Sequence, residues 1–294
     1  MAERQGPILV LGGTGQIGFE LVRALSGAAT VLAPTRAELD ASNLGAVGAF
    51  IAASRPSLIF NAVAFTAVDA AEQEQVAAYR LNAELPGVIG EHAAAVLAPV
   101  VHYSSDYVFN GMSHVPYIET DAAVPLNVYG ATKLAGEQAL GATKAVSLIF
   151  RTSWVYGARG TNFALTVRRK LAAGEPLNVV DDQYGAPTWC RAVATESARC
   201  AGQFGGDLDR WKELGGIYHL SAGGEATWFG FASAIAEMVP SNRPPAVLRA
   251  VTSAEYRTAA RRPRNSLLNN QRIERVFGVR LPSWRDQLTM AFGD

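Results

Sequence analysis

The sequence predicts an α/β fold in which a doubly wound parallel sheet is followed by a smaller C-terminal α/β unit. Short β-branched apolar runs alternate with longer stretches of helical periodicity through the first 150 residues, the rhythm of parallel strands joined by crossover helices. A glycine-rich turn, Gly12-Gly13-Thr14-Gly15, closes the first run and opens the first helix. Beyond Arg151 the rhythm loosens into segments punctuated by glycine and proline.

Taken in order, the apolar runs predict strands at 8–11, 30–33, 58–61, 100–103 and 147–150. Apolar residues near helical spacing predict helices between them at 16–25, 43–53, 71–81, 85–95 and 129–140. In the second part, punctuated segments at 156–161, 181–188, 223–227, 241–245 and 260–269 separate helices at 163–173, 191–203, 228–238 and 284–292 and a strand at 217–220. Residues 1–155, joined by a return segment at about 190–210, are expected to form the sheet unit; 156–189 and 211–294 form the second. No internal repeat or low-complexity tract is visible.

Composition excludes several classes. At 294 residues, 49% hydrophobic and 18% charged, the chain can bury a large core. Lys plus Arg and Asp plus Glu both number 26, so the basic excess of a nucleic-acid binder is missing. Apolar stretches such as Ala93 to Val101 fall well short of the ~20 residues that span a bilayer. Residues 1–7 lead straight into the first strand without the apolar region of a secretory signal, so a cytoplasmic location is expected. Cys190 and Cys200 have neither disulfide-framework nor zinc-ligand spacing and read as core thiols.

Strand, glycine turn and helix occur in the order a dinucleotide site requires, which makes the sheet unit Rossmann-type. Gly12, Gly15 and Gly18 let the backbone turn tightly and approach a pyrophosphate, and the helix N-terminus offers free N–H groups to it. After the second strand stands Arg36, with Glu38 and Asp40 following. Arg36 either pairs with the 2′-phosphate of NADP, which favours NADPH over NADH, or is a solvated loop arginine. The small residues after the third strand, Asn61-Ala62-Val63-Ala64-Phe65-Thr66, allow a cofactor to lie close to the strand end, although packing alone also explains them.

Tyr129 and Lys133 stand four apart on one helical face. A free phenol titrates near 10 and is a poor acid or base at neutrality; a neighbouring ammonium and an oxidised nicotinamide are expected to lower it and make a usable proton shuttle. The fourth strand delivers Ser104-Ser105-Asp106 to the same edge, where a hydroxyl can hydrogen-bond the reacting oxygen.

Glycine loop, strand-end hydroxyl and YxxxK together resemble the extended short-chain dehydrogenases/reductases. The segments 102–109, 125–130, 150–156, 182–188 and 260–266 are more specifically similar to the dTDP-4-dehydrorhamnose reductase family and span almost the whole chain. The resemblance implies NADPH- or NADH-dependent reduction of dTDP-4-dehydro-β-L-rhamnose at C4. It makes Tyr129 the proton donor and Lys133 the residue that tunes it and holds the nicotinamide ribose. Ser105 stands where threonine is common and keeps the hydroxyl. Asp106 and Trp154 match sugar contacts; Gly15, Gln16, Ile17, Asp40, Ala41, Ala64, Phe65 and Thr66 match cofactor contacts, with Phe65 departing from a frequent histidine. The resemblance also implies a homodimer linked by Mg2+ between acidic side chains. Glu20 is available, but Arg191 and its neighbours supply no second carboxylate, so the residues support no metal.

Arg261, Arg262 and Arg264 read equally as a diphosphate clamp, an inter-element ion pair or a solvated turn. His92, His102, His114 and His219 lack ligand spacing and read as structural. Four rival functions are weighed against this reduction. A dehydratase of this fold carries Asp-Glu after the strand-end hydroxyl, but Tyr107 follows Asp106 here; a 4-epimerase or another 4-keto reductase needs the same Tyr and Lys; a non-catalytic regulatory subunit does not need them.

Overall fold

The first strand, β1 (Ile8–Leu11), enters α1 (Gln16–Leu25), and the alternation continues through β2 (Val31–Leu32), α2 (Leu44–Ser54) and β3 (Leu58–Asn61). Next come α3 (Val68–Ala71), α4 (Gln75–Tyr79), a π turn at Arg80–Glu84, α5 (Leu85–Val96), β4 (Val100–Ser105), a 3-10 turn at Asp106–Val108, α6 (Val128–Gly141) and β5 (Ser147–Thr152). This computed structural model describes residues 6–239 and 247–293, so the first five residues and the segment expected at 241–245 lie outside the described residues.

The second part runs through β6 (Val155–Tyr156), α7 (Phe163–Ala173), β7 (Leu177–Val180), β8 (Tyr184–Gly185), β9 (Thr188–Trp189), α8 (Cys190–Gly202) and α9 (Leu208–Leu214). It continues with β10 (Gly216–His219), β11 (Ala226–Thr227), α10 (Trp228–Met238), β12 (Leu248–Val251), α11 (Gln271–Phe277) and α12 (Trp284–Phe292). The six-stranded sheet has the order β10-β5-β4-β3-β1-β2, and every pairing in it is parallel.

Alternation along each strand explains the layers. Leu9 and Leu11 pack with Val47 and Ile51 of α2 and with Leu85 and Ile89 of α5. Val10 points the other way, into a core with Leu21 of α1, Val193 of α8 and Ile273 of α11. Each such aliphatic side chain, removed wholly from water, contributes about 1.5–3 kcal/mol before entropy is counted. A third cluster, around Phe231, Trp284 and Val179, forms the core of the second layer.

Four differences from the sequence reading bear on the site. The strands β4 and β5 run two residues further than expected, because Ser104 pairs with Arg151 and Ser105 with Thr152; this carries polar side chains into the carboxyl edge of the sheet. The single helix expected at 71–81 is split into α3, α4 and the π turn. The split sets Asn82, fully buried, where its carboxamide accepts from Phe65 N (2.8 Å) and donates to Phe65 O (3.0 Å) and Thr132 Oγ1 (3.0 Å). The strand β10, expected in the second unit, instead closes the main sheet against β5, with α11 packed on the same core. The strands β6 to β9, β11 and β12, all of four residues or fewer, and the helices α9 and α11 carry too little periodicity to be predicted.

Candidate active site

The glycine turn is shaped by contact. Gly12 has φ +80°, and a Cβ there would meet Ala62 and Val63 backbone atoms at 2.9 Å. A Cβ at Gly18 would fall inside the Gly12 carbonyl, so α1 seats directly on the turn. Gly15 N–H donates to Gly12 O (2.9 Å), but no side chain caps α1 and no acidic residue lies in its first turn. The open N–H groups and positive dipole end fit an anion. A cavity of about 550 Å³ begins at Thr14–Ile17 and runs past Ala62, Ala64 and Thr66 to Ser105, Tyr129 and Lys133. Uncapped helix, glycine cradle and elongated cavity together suit a dinucleotide.

Of the expected cofactor residues, Gly12 and Gly18 shape the turn beneath the cavity, and Arg36, Asp40, Ala41 and Phe65 do not line it. Arg36 lies exposed on the turn after β2, and neighbouring Glu38 is occupied, accepting from Thr35 N (2.7 Å) and Thr35 Oγ1 (2.9 Å). Asp40 accepts from Ser42 N (3.0 Å), which holds its carboxyl below the usual range. Phe65 has its backbone N–H and C=O taken by Asn82.

Ser105 and Tyr129 meet because Gly130 has no side chain. A Cβ there would collide with Tyr107 O, so the first turn of α6 rests on the 3-10 turn that follows β4. Asn127 caps that helix, accepting from Gly130 N (2.8 Å). Ser105 Oγ donates to Asp106 Oδ1 (3.0 Å) and accepts from Tyr107 N (3.1 Å), and the Tyr107 ring stands edge-on to Tyr129 at 5.9 Å.

The electrostatics correct one expectation. Burial pushes the Tyr129 phenol up to about 12; the hydrogen bond with Ser105 lowers it, and the Asp106 charge raises it further. Lys133 does not offset this, because it is itself buried and its Nζ donates to Tyr103 O (2.6 Å) rather than to the phenol. Burial brings Lys133 down to about 8, against the upward pull of Glu137. The phenol is therefore protonated across the neutral range, the form that a proton donor needs. Burial likewise raises the Asp106 carboxyl to about 6, although hydroxyls including Ser153 Oγ (2.8 Å) hydrogen-bond it.

Residues 6–294 match the family described as RmlD substrate binding domain. A dTDP-4-dehydrorhamnose reductase of Burkholderia thailandensis is 42% identical over 95% of this chain and 95% of its own, and one of Escherichia coli K12 is 43% identical over 95% and 94%. The solved structure of a dTDP-4-dehydrorhamnose reductase from Bacillus anthracis, in complex with NADP, superposes with TM-score 0.88 at 31% identity over 98% of both chains. The chain belongs to the dTDP-4-dehydrorhamnose reductase family.

In this family member the far end of the cavity is aromatic. Trp154 sits in the left-handed region at φ +46°, a conformation that costs a bulky residue roughly 1–3 kcal/mol and persists only where its surroundings fix it. They do so here: its ring is stacked on Trp228 at 3.5 Å and 5°, and Gly185 lies so close that a Cβ would strike the indole. Trp228, Phe163 and Asn162 line the cavity and were not read from sequence; helical spacing marks Trp228 and Phe163 only as helix residues. Asn162 Nδ2 donates to Gln16 Oε1 (2.9 Å), joining the glycine loop to the loop before α7.

Of the readings left open for the basic loop, Arg262 takes the inter-element ion pair. Its Nη2 donates to Asp69 Oδ2 (2.6 Å) and its Nη1 to Oδ1 (3.1 Å). Arg261 O accepts from Asn127 Nδ2 (2.7 Å) and Arg264 O from Tyr184 N (2.7 Å), so their backbones also tie elements together. Glu20, the carboxylate available for Mg2+, is buried and engaged by Arg191 Nε (3.0 Å) and Arg23 Nε (2.9 Å). Two guanidiniums on one carboxylate repel a cation, so these residues do not fit a metal.

Proposed function

We propose that this chain reduces dTDP-4-dehydro-β-L-rhamnose to dTDP-L-rhamnose with NADPH or NADH. The observation that carries the reading is the single cavity that joins an uncapped, glycine-built helix N-terminus to Ser105, Tyr129 and Lys133. Thr14, Gly15, Gln16 and Ile17 would hold the cofactor pyrophosphate, Ala62, Ala64 and Thr66 its middle, and Lys133 the nicotinamide ribose. A bound nicotinamide supplies the hydride for C4 of the sugar. Tyr129 gives its phenolic proton to the C4 oxygen, Ser105 hydrogen-bonds that oxygen, and Tyr103 O holds the Lys133 ammonium in place for the ribose.

The second layer, 156–189 with the chain beyond β10, is the sugar-nucleotide side in this reading, and Trp154 and Asp106 face the sugar from the cavity wall. The exposed Arg36, beside a Glu38 already occupied, supports a preference for NADPH. Zero net charge supports a small-molecule partner over nucleic acid. A cytoplasmic location is supported by two free thiols, and among the described residues no helix is long and apolar enough to cross a membrane. A homodimer, if formed, gets no cation from Glu20.

The test is oxidation of NADPH and NADH by the pure protein, with the 4-keto sugar made in place by a 4,6-dehydratase and a 3,5-epimerase. Oxidation that requires the epimerase and yields dTDP-L-rhamnose is the expected result. Oxidation without the epimerase would assign a different 4-keto sugar. Interconversion without net oxidation would assign a 4-epimerase, and inertness toward every sugar a regulatory role.

A further inference from the structure

Beneath the cavity lies a charged group that the steps above do not use. Glu137 stands one helical turn beyond Lys133 on α6, and its side chain and that of Arg151 on β5 are buried. Arg151 Nε donates to Glu137 Oε1 (2.8 Å) and Nη2 to Oε2 (2.6 Å), while Ser104 Oγ donates to Oε1. Ser104 immediately precedes Ser105 on β4. One carboxylate thus ties the helix bearing Tyr129 and Lys133 to the two strands that form the catalytic edge.

Stability is a weak account of this arrangement. Taking both ions out of water carries a heavy desolvation penalty, and a well-packed apolar pair of the same shape is often as stable. The pairing is also incomplete, since Arg151 Nη1 and both ring nitrogens of His219, its register neighbour on β10, find no partner among the described residues.

The charged and titratable groups around Lys133 suggest what the carboxylate does. Tyr129 and Glu137 share its helix; His102 on β4 is held neutral by burial and by the Lys133 charge; Arg151 lies beyond Glu137 on β5; and Asp106 follows β4. We propose that Glu137 is a positioning residue of the reduction, fixing α6 against β4 and β5 and keeping the Lys133 ammonium charged from one turn away. Its role in turnover rests on the reductase reading; its hold on Lys133 does not. The lowered titration of Lys133, with Glu137 opposing that shift, agrees with this assignment.

Lys133, Lys144, Lys170 and Lys212 are the only lysines, so protein labelled with 13C at lysine Cε gives four signals, that of Lys133 being the one lost in Lys133→Met. In Glu137→Gln the Lys133 signal should titrate about one pH unit or more below the parent, the other three staying put. The alkaline limb of kcat should move down with it, so turnover at pH 8 falls about fivefold or more while KM for NADPH changes little. Glu137→Asp should restore the limb. Because Glu137→Gln strands a buried guanidinium and could fail to fold, Arg151→Met gives the second reading: a Lys133 titration moved upward is expected. An unchanged titration in Glu137→Gln, or displacement of both variants in the same direction, would overturn the proposal and leave a structural ion pair. A parent without turnover that still shows the opposite shifts would support the hold on Lys133 and sink the reductase reading alone.

Discussion

At the scale of single residues, the phenol of Tyr129 decides the direction of chemistry. Protonated at neutral pH by burial, it is ready to give a proton and poorly suited to take one until a positive cofactor is bound. Tyr129→Phe should lower kcat by about 10²–10⁴-fold with NADPH affinity, followed by nicotinamide fluorescence, unchanged. Arg36→Ala should raise KM for NADPH roughly tenfold and leave that for NADH alone, if the guanidinium meets the 2′-phosphate; equal changes for both would make it a solvated arginine. The pair Tyr129 and Lys133 was legible because its chemistry and its spacing lie on one helix, and Ser105 because a strand end is visible in the apolar pattern. Trp228 and Glu137 were not: each stands at an ordinary helical position and gains its role from a partner, Trp154 or Arg151, on another element. The depressed phenol expected from Lys133 failed for a similar reason, since spacing shows a neighbouring ammonium but not the burial of both groups or the Tyr103 carbonyl that holds the lysine.

At the scale of elements, close approach rather than propensity sets the site. A Cβ at Gly136 would overlap Asn82 O, so α6 packs backbone to backbone on the π turn, and the Asn82 carboxamide bridges the β3 exit and Thr132. Asn82→Ala should cost about 2–4 kcal/mol by leaving buried backbone and hydroxyl groups unpaired, read as a lower urea midpoint with unchanged slope. The alternation that makes the first strands legible is a property of buried parallel strands. By contrast, β6, β8, β9 and β11 are two-residue pairings that exist only because distant loops meet, so no periodicity announces them. Their absence from the sequence left Trp228 and Phe163 unplaced beside Trp154 at the aromatic end of the cavity.

At the scale of the whole molecule, acid should weaken the fold. Burial brings His219 down to about 3 and holds His102 well below its ordinary range. Below about pH 6.5 the unfolded chain binds protons at both histidines that the folded chain refuses, so each removes up to about 1.4 kcal/mol per pH unit. Asp106, raised to about 6, works the other way between about pH 4 and 6 and offsets one of the two. The thermal midpoint should therefore fall steadily from pH 7 to pH 5. Chelator or Mg2+ should not move it, because Glu20 already has its cations in Arg23 and Arg191; a rise with Mg2+ would show a carboxylate released to metal.

The place of β10 at the rim of the main sheet also has a bearing on how the chain is made. Its pairing partner β5 is complete at Thr152, yet β10 begins only at Gly216. At about 5–20 residues per second of synthesis, β5 waits on the order of several seconds with its backbone donors and acceptors open. A ribosome paused in that interval holds a nascent sheet with one adhesive side, so slowing translation between β9 and β10 should increase aggregation of the newly made protein more than slowing it after α11.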